Sequence, residues 1–564
     1  KEVAKKISPA NIALFVLATV SSILAGFLQL TLYVLASVLA WIIFRFWRFQ
    51  PKDFKKITTL GLGFLFSFFI TAAHLWPAIG AYFRSPRGLV DVKFLFEQYL
   101  MPPYHLLTFL APDFWGNPGV YNYFGSGFYH EKVIYVGIPV LLLALFAFFS
   151  KAKSKNLSFF KWFSLITLAL GFFPLGWLLY YSHLPLFSVI IPSRIFFLST
   201  FGFCALAAFG IDLYLKKKFN WKIWLFLFSA IGFAFVKLWL FVIDARSQDP
   251  LGNYALVSFR NLILPTCFFI GSAIIILLPL LKKKLKTLSF LGLTFLSLAS
   301  SFYFANKFLY FSERKYVFPE VEVIIKLKEI SGLNRVWGYG NGYLEKNMNI
   351  YYGLYSPEGY DALFSQRYGE LIYSQDTEGK ITDQITRTDV DIKQASEREA
   401  ILDNWHRKRL LSLLGVKYIM EAKEGEGKGW KTKTERFPEE FFNLSWEGEK
   451  FRIWEYQNAL PRIFLVHDHL VEVDKQKIAD HIFDQDFDLS QTIILEEEPQ
   501  ITIEPCSHEA IEDKVEIIKY TPNQIEISVD NSCNSLLFLS DNYYPGWKAL
   551  VDGEETNIYR ADFS

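Results

Sequence analysis

Residues 76–131 read WPAIGAYFRSPRGLVDVKFLFEQYLMPPYHLLTFLAPDFWGNPGVYNYFGSGFYHE, and the fold turns on how this polar, aromatic, Pro- and Gly-rich stretch is understood. A loop of such length inside a compact protein is uncommon and is usually either functional or disordered. Its many Trp, Tyr and Phe residues, with Arg84 and Arg87 close together, run against the aromatic-poor composition of disordered chain. The stretch is therefore expected to be folded, as a large external loop at 77–132 between two membrane spans.

The flanking sequence supplies those spans. The chain has 564 residues, of which 52% are hydrophobic, and a mean hydropathy of +0.21. The apolar residues between Asn11 and Leu309 come in runs, several near the roughly 20 residues that a bilayer-crossing helix needs. From Tyr310 onward no such run occurs. Nine spans are predicted: Ala10–Gly26, Leu28–Phe46, Ile57–Trp76, Val133–Phe149, Leu157–Tyr181, Ile191–Leu215, Trp221–Ile243, Leu262–Leu281 and Leu288–Leu309. The formal net charge of +2 gives no global basic excess of the kind that marks nucleic-acid binding. The Lys and Arg residues instead cluster at Lys1/Lys5/Lys6, Arg45/Arg48/Lys52/Lys55/Lys56, Lys151/Lys153/Lys155, Lys216/Lys217/Lys218/Lys222 and Lys282/Lys283/Lys284/Lys286. With nine spans all five clusters fall on one side, which the positive-inside rule makes the cytoplasm. The 77–132 loop and everything after Leu309 are then expected outside. Neither a start Met nor a cleavable signal pattern is present at Lys1, so a piece of a longer chain is expected.

The region after the spans is expected to divide in two. From 310 to 450, VEVIIKLKEISG and REAILDNWHRKRLLSLLG carry helical periodicity, whereas NRVWGYG and VKYIMEA read as strands, giving an α/β unit. From 451 to 564, short alternating strands with PN, PG and DG turns predict a β-rich, jelly-roll-like module, incomplete at its C-terminal end. Cys204 and Cys267 fall within spans as packing residues, whereas Cys506 and Cys533 lie in the exterior region, where a disulfide is permitted. The fold class is thus a polytopic α-helical membrane protein with a C-terminal extracytoplasmic α/β plus β-sandwich-like region.

Ionisable groups within or bordering spans are costly and are candidates for function. Arg84, Arg87 and Arg194, the last following Pro192 and Ser193, suit a phosphate, because the guanidinium fork matches phosphate oxygens. His74, Trp76 and Lys237 border the same face, and Tyr104, Trp115, Tyr121 and Tyr123 could shape a sugar or headgroup pocket. The alternative for Lys237 is simple extension of its charge to the headgroups. The external carboxylates Asp113 and Glu131 are the candidates for a general base, although Asp113 also fits an Asx-turn or helix cap. The chain holds no GxxxxGK[ST], no GxGxxG after a strand, no HExxH, no CxxC and no GxSxG. No resident cofactor is indicated, while a divalent metal is compatible with the external carboxylates.

The runs WPAIGAYFRSPRG, LLTFLAPDFWGNP, YVGIPVLLLALFAF, IPSRIFFLSTFGFCALAAFGID and LLFLSDNYYPGWKALVDGEETNIYR, in this order, resemble the YfhO family of bacterial membrane proteins. That family is similar to the GT-C glycosyltransferases. The resemblance implies transfer of a sugar from a polyprenyl-phosphate donor to a cell-envelope polymer or lipid, on the outer face of the bacterial plasma membrane. It also implies a main catalytic carboxylate in a first external loop upstream of Lys1, leaving Arg84, Arg87 and Arg194 as the donor-phosphate ligands here. The alternative from another class is a non-catalytic polysaccharide-binding scaffold or a transporter; the chain shows no internal repeat of the kind transporters use.

Overall fold

The computed structural model describes residues 8–47, 54–88, 93–183, 190–216, 220–248, 253–309, 311–383, 385–386, 388–394, 400–423, 433–503 and 513–564. Residues Lys1, Lys5, Lys6, Arg48, Lys52, Lys217, Lys218 and Cys506, which carry sequence expectations above, lie outside the described residues. The chain forms two compact units, one from 1–74 with 91–312 and one from 75–90 with 313–564.

In the first unit, among the described residues, six helices are long and apolar enough to cross a membrane: Leu28–Arg45, Phe54–Arg84, Pro192–Leu215, Trp221–Gln248, Asn253–Leu281 and Lys286–Phe308. The last turns of Phe54–Arg84 belong to the second unit. Two shorter apolar helices are Pro9–Leu24 and Ile138–Phe149. Six of the nine expected spans are thus span-length helices among the described residues, and two of the shorter ones have a local cause. The expected span Val133–Phe149 starts as a helix only at Ile138, because Gly137 takes φ +87°, outside the helical region. The expected span Leu157–Tyr181 is two helices, Lys155–Leu170 and Trp177–Tyr181. At the break the Met101 amide donates to the Gly171 carbonyl at 3.0 Å and the Phe173 amide to the Met101 carbonyl at 3.2 Å. Peptide groups that would have continued the helix are satisfied by this segment instead.

The expected start of the long loop also moves. The helix Phe54–Arg84 runs through Pro77, so residues 77–84 are helical. A proline removes one donor and bends a helix without obliging it to stop.

The centre of the first unit is the helix Ile138–Phe149, with Leu142, Ala144 and Ala147 fully buried. The helix Phe196–Leu215 packs against it closely enough that a Cβ on Gly210 would stand 2.1 Å from the Leu143 carbonyl oxygen. Phe146 stacks on Trp224 at 4.5 Å between ring centroids. Leu62, Phe66, Phe69, Leu240, Phe241 and Phe295 stay exposed on span-length helices. This is the inverse of a water-soluble surface, and acyl chains are the solvent that removes the cost.

In the second unit the four helix and strand expectations between Glu322 and Ala422 are met. Helices Glu322–Ile330 and Trp405–Leu413 flank strands Arg335–Tyr339 and Val416–Ala422, which pair in parallel. The strand Phe451–Tyr456 joins this sheet, antiparallel to Val416–Ala422 with Ile453 opposite Met420, and Phe442–Glu447 closes it. Phe451–Tyr456 thus completes the α/β sheet and does not open a jelly roll. The later strands form two-stranded pairs: Ile463–Val466 with Leu536–Leu539, Asp468–Val471 with Thr492–Leu495, Lys514–Thr521 with Gln524–Asp530, and Ala549–Val551 with Glu554–Thr556. Alternation identifies a strand but not its partner.

Candidate functional site

The segment Ile191-Pro-Ser-Arg begins as a 3₁₀ turn, Pro192–Ile195, that leads into the helix Phe196–Leu215. Proline suits such a first turn because its missing N–H would have no intrahelical partner there. The turn presents Arg194 to Glu131, which sits on a four-residue helix, Tyr129–Lys132. The Arg194 Nε donates to Glu131 Oε1 at 2.8 Å, and Nη2 lies 2.8 Å from the same oxygen. Ser193 Oγ donates to Glu131 Oε2 at 3.2 Å. The remaining side of the guanidinium is met by Gln29, whose Oε1 accepts from Nη1 at 3.3 Å, and by the Phe27 ring at 5.1 Å. Gln29 is held in turn by donating to the Ile191 carbonyl at 2.7 Å.

Burial pushes the Glu131 carboxyl up. The His130 hydrogen bond and the Arg194 charge and hydrogen bond outweigh that push, so it titrates below the ordinary glutamate value. Glu131 is buried, whereas the Arg194 side chain keeps 29% of its surface and His130, 3.6 Å from Oε1, is largely exposed. A fixed carboxylate faces an arginine that solvent or a ligand can still reach.

Asp113 has a different environment. It is fully buried, and Oδ1 accepts from Tyr129 at 2.6 Å and from Asn117 at 2.9 Å. Lys307 Nζ lies 3.1 Å from Oδ2 and also donates to Asn261 at 2.8 Å, while Asn261 donates to the Asp113 carbonyl at 2.7 Å. This cluster ties the loop to the helices Asn253–Leu281 and Lys286–Phe308. Its geometry is that of a fastening.

A third group gathers around Ser126. Tyr104 donates to its Oγ at 3.0 Å, Tyr123 to its carbonyl at 3.2 Å, and Lys132 to its Oγ at 3.3 Å. Trp115 meets Tyr104 edge-on at 5.5 Å. The buried His105 adjoins the group, and burial with the Lys132 charge lowers its pKa to about 4. Tyr104, Trp115 and Tyr123 are thus brought together, whereas Tyr121 stands almost wholly exposed at φ +54°.

The other candidates lie elsewhere in their units. His74 is exposed, and Lys237 is exposed beside the Phe233 ring at 5.6 Å. In the second unit, Trp76 is 81% exposed. Arg84 Nη1 donates to the Gly80 carbonyl at 3.0 Å and its guanidinium lies 5.7 Å from the Tyr544 ring. Arg87 Nε donates to the Ala362 carbonyl at 2.6 Å. Among the described residues no group of three or more His, Cys, Asp or Glu side chains could hold a metal ion.

Sequence reasoning missed Gln29, Ser193 and Lys307. The first could have been found as a polar residue inside the apolar run LQLTLYVLASVLAW, and the last as a cation in the final turn of a span. Ser193 carries no such signal.

Residues 25–505 match the family model described as bacterial membrane protein YfhO. No curated protein and no solved structure matches the chain.

Proposed function

The chain belongs to the YfhO family of bacterial membrane proteins, and on that premise we propose that it is a membrane glycosyltransferase of the GT-C kind, moving a sugar from a polyprenyl-phosphate donor to a cell-envelope glycan or lipid on the outer face. The observation that carries the reading is the pairing of a part-exposed Arg194 with a buried Glu131 at the end of a span-length helix.

In this reading Arg194 takes the donor phosphate, leaving Glu131 as the nearest carboxylate. Exchange of carboxylate for phosphate is reasonable chemistry for an arginine, whose fork fits both. Once Arg194 turns to the phosphate, Glu131 keeps the His130 hydrogen bond but loses one of the partners that hold its pKa low, and becomes a better proton acceptor. The acceptor hydroxyl oxygen then bonds to the anomeric carbon, the bond from that carbon to the phosphate oxygen breaks, and the hydroxyl proton passes to Glu131. The polyprenyl phosphate leaves as an anion that the guanidinium stabilises, so charge stabilisation is the main demand on the site. Tyr104, Trp115 and Tyr123 supply aromatic surface in the same unit for a sugar ring.

The test is turnover of a labelled polyprenyl-phosphate sugar by purified protein with envelope acceptors. Arg194→Ala should lower turnover by a factor of roughly 100, the usual scale for one lost charge-stabilising donor, and Arg194→Lys should recover part of it. Equal turnover in wild type and Arg194→Ala would remove the donor-phosphate role. Donor binding without turnover in the wild-type protein would favour the scaffold reading.

A further inference from the structure

We propose that the patch formed by Tyr316, Phe318, Ile350 and Tyr351 rests in the headgroup layer of the bilayer, so that the second unit touches the membrane as well as being tethered to it. This surface is independent of the Arg194–Glu131 pair and of the reaction assigned to it.

The patch is built rather than accidental. Tyr352 is buried, and its hydroxyl donates to the Pro319 carbonyl at 2.9 Å, fixing residues 316–319 against the short helix Met348–Tyr352. Phe318 then stacks on Tyr351 with centroids 3.8 Å apart. With Tyr352 turned inward, its neighbours Ile350 and Tyr351 point outward and are 72% and 61% exposed. Tyr316 is 63% exposed, with Lys315 Nζ 4.8 Å from its ring centroid. Adjoining exposed apolar residues of this kind mark an interaction surface, whereas scattered ones do not.

Two observations identify the occupant as lipid. Tyr316 follows the end of the last span-length helix, Phe308, by eight residues. Eight residues of chain reach at most about 28 Å when fully extended, so Tyr316 lies within that distance of the helix end. The composition also fits that depth: tyrosines, an apolar anchor and a lysine beside them are the residues enriched where hydrocarbon gives way to headgroups. A surface built for a sugar polymer would not need Ile350 as its most exposed member.

The experiment uses the full chain in phosphatidylcholine/phosphatidylglycerol nanodiscs, with the photoreactive residue p-benzoylphenylalanine placed at position 350, at 316, or at the comparably exposed control position 518 on the strand Lys514–Thr521. After irradiation, lipid adducts are counted by mass spectrometry. Several-fold more phospholipid adduct at 350 and 316 than at 518 is expected. Equal yields at all three positions, crosslinks from 350 to other residues of the chain, or crosslinks to a second copy would each overturn the proposal. All three positions are exposed, so folding is not at stake in the comparison.

Discussion

Asp113 and Glu131 have the same charge, similar burial and a cationic partner each, yet they differ in what the partner can do. Arg194 and Lys307 keep similar exposure, 29% and 31%, but Lys307 joins Asp113 on the loop to Asn261 and to Tyr303, whose hydroxyl lies 3.3 Å from Nζ, and so ties the loop to two helices. Asp113 should therefore behave as a structural residue. Removing one member of a buried ion pair leaves the other unsatisfied, and Asp113→Ala is expected to lower stability by about 3 kcal/mol, the low end of that class because Lys307 keeps some exposure. Thermal or denaturant unfolding of the detergent-solubilised variant measures it. Adding Lys307→Met should recover part of the loss, since the two sites are in contact and cannot be additive. A loss no larger than that of a surface pair, under about 1 kcal/mol, would show that the cluster fastens nothing.

At the scale of elements, the first unit has a close helix contact at Gly210 that can be tested singly. Gly210 lies where any Cβ would strike the backbone of Leu143, which cannot move aside as a flexible side chain can. Gly210→Ala is expected to destabilise by about 1–3 kcal/mol, the cost of overpacking. Gly232 sits in a helix with only ordinary contact to Phe269 at 3.7 Å, so Gly232→Ala should be neutral or slightly stabilising. Paired melts of the two variants test the contrast, and equal effects would argue against close packing at Gly210. The same contact explains what the sequence could and could not reveal. Apolar runs located the span-length helices because lipid imposes length and composition on every one of them. The break at Gly171–Phe173 had a local signal in Gly171, Pro174 and Gly176, but its pairing with Met101, some seventy residues away in the chain, left none in the run Leu157–Tyr181. Three strands of the sheet were legible and Phe442–Glu447 was not, and the alternation in FRIWEY could not tell Val416–Ala422 from a later partner. The turn that carries Arg194 was legible because Pro-Ser-Arg at the start of a span is a local signal. Its coupling to Glu131 joins residues 63 apart and left no local trace.

The whole molecule consists of two units with different solvents, and its unfolding should report them separately. The first is held by apolar surface that lipid or detergent must cover, and the second by a sheet and its own buried ionisable groups. Among the latter is Glu358, whose Oε1 accepts from Trp337 Nε1 at 2.9 Å and from the Ile392 amide at 3.0 Å. Burial raises its pKa from the model-peptide value of 4.5 to about 7, even though those two hydrogen bonds pull it down. A carboxyl that binds its proton more tightly when folded favours the folded state most below its unfolded pKa, and that advantage fades as pH rises through the folded value. The second unit should accordingly melt progressively lower between about pH 4.5 and pH 7 and then level off with respect to this group. Glu358→Gln keeps an oxygen for both donors but cannot ionise. The variant should lose the part of the pH dependence in that window, narrowing its disadvantage or gaining stability relative to wild type as pH rises. Calorimetric or fluorescence melts in nanodiscs across the range, read for two transitions, decide the matter. If wild type and Glu358→Gln keep a constant offset from pH 4.5 to 7.5, Glu358 does not titrate in that window and the second unit owes its stability to other groups.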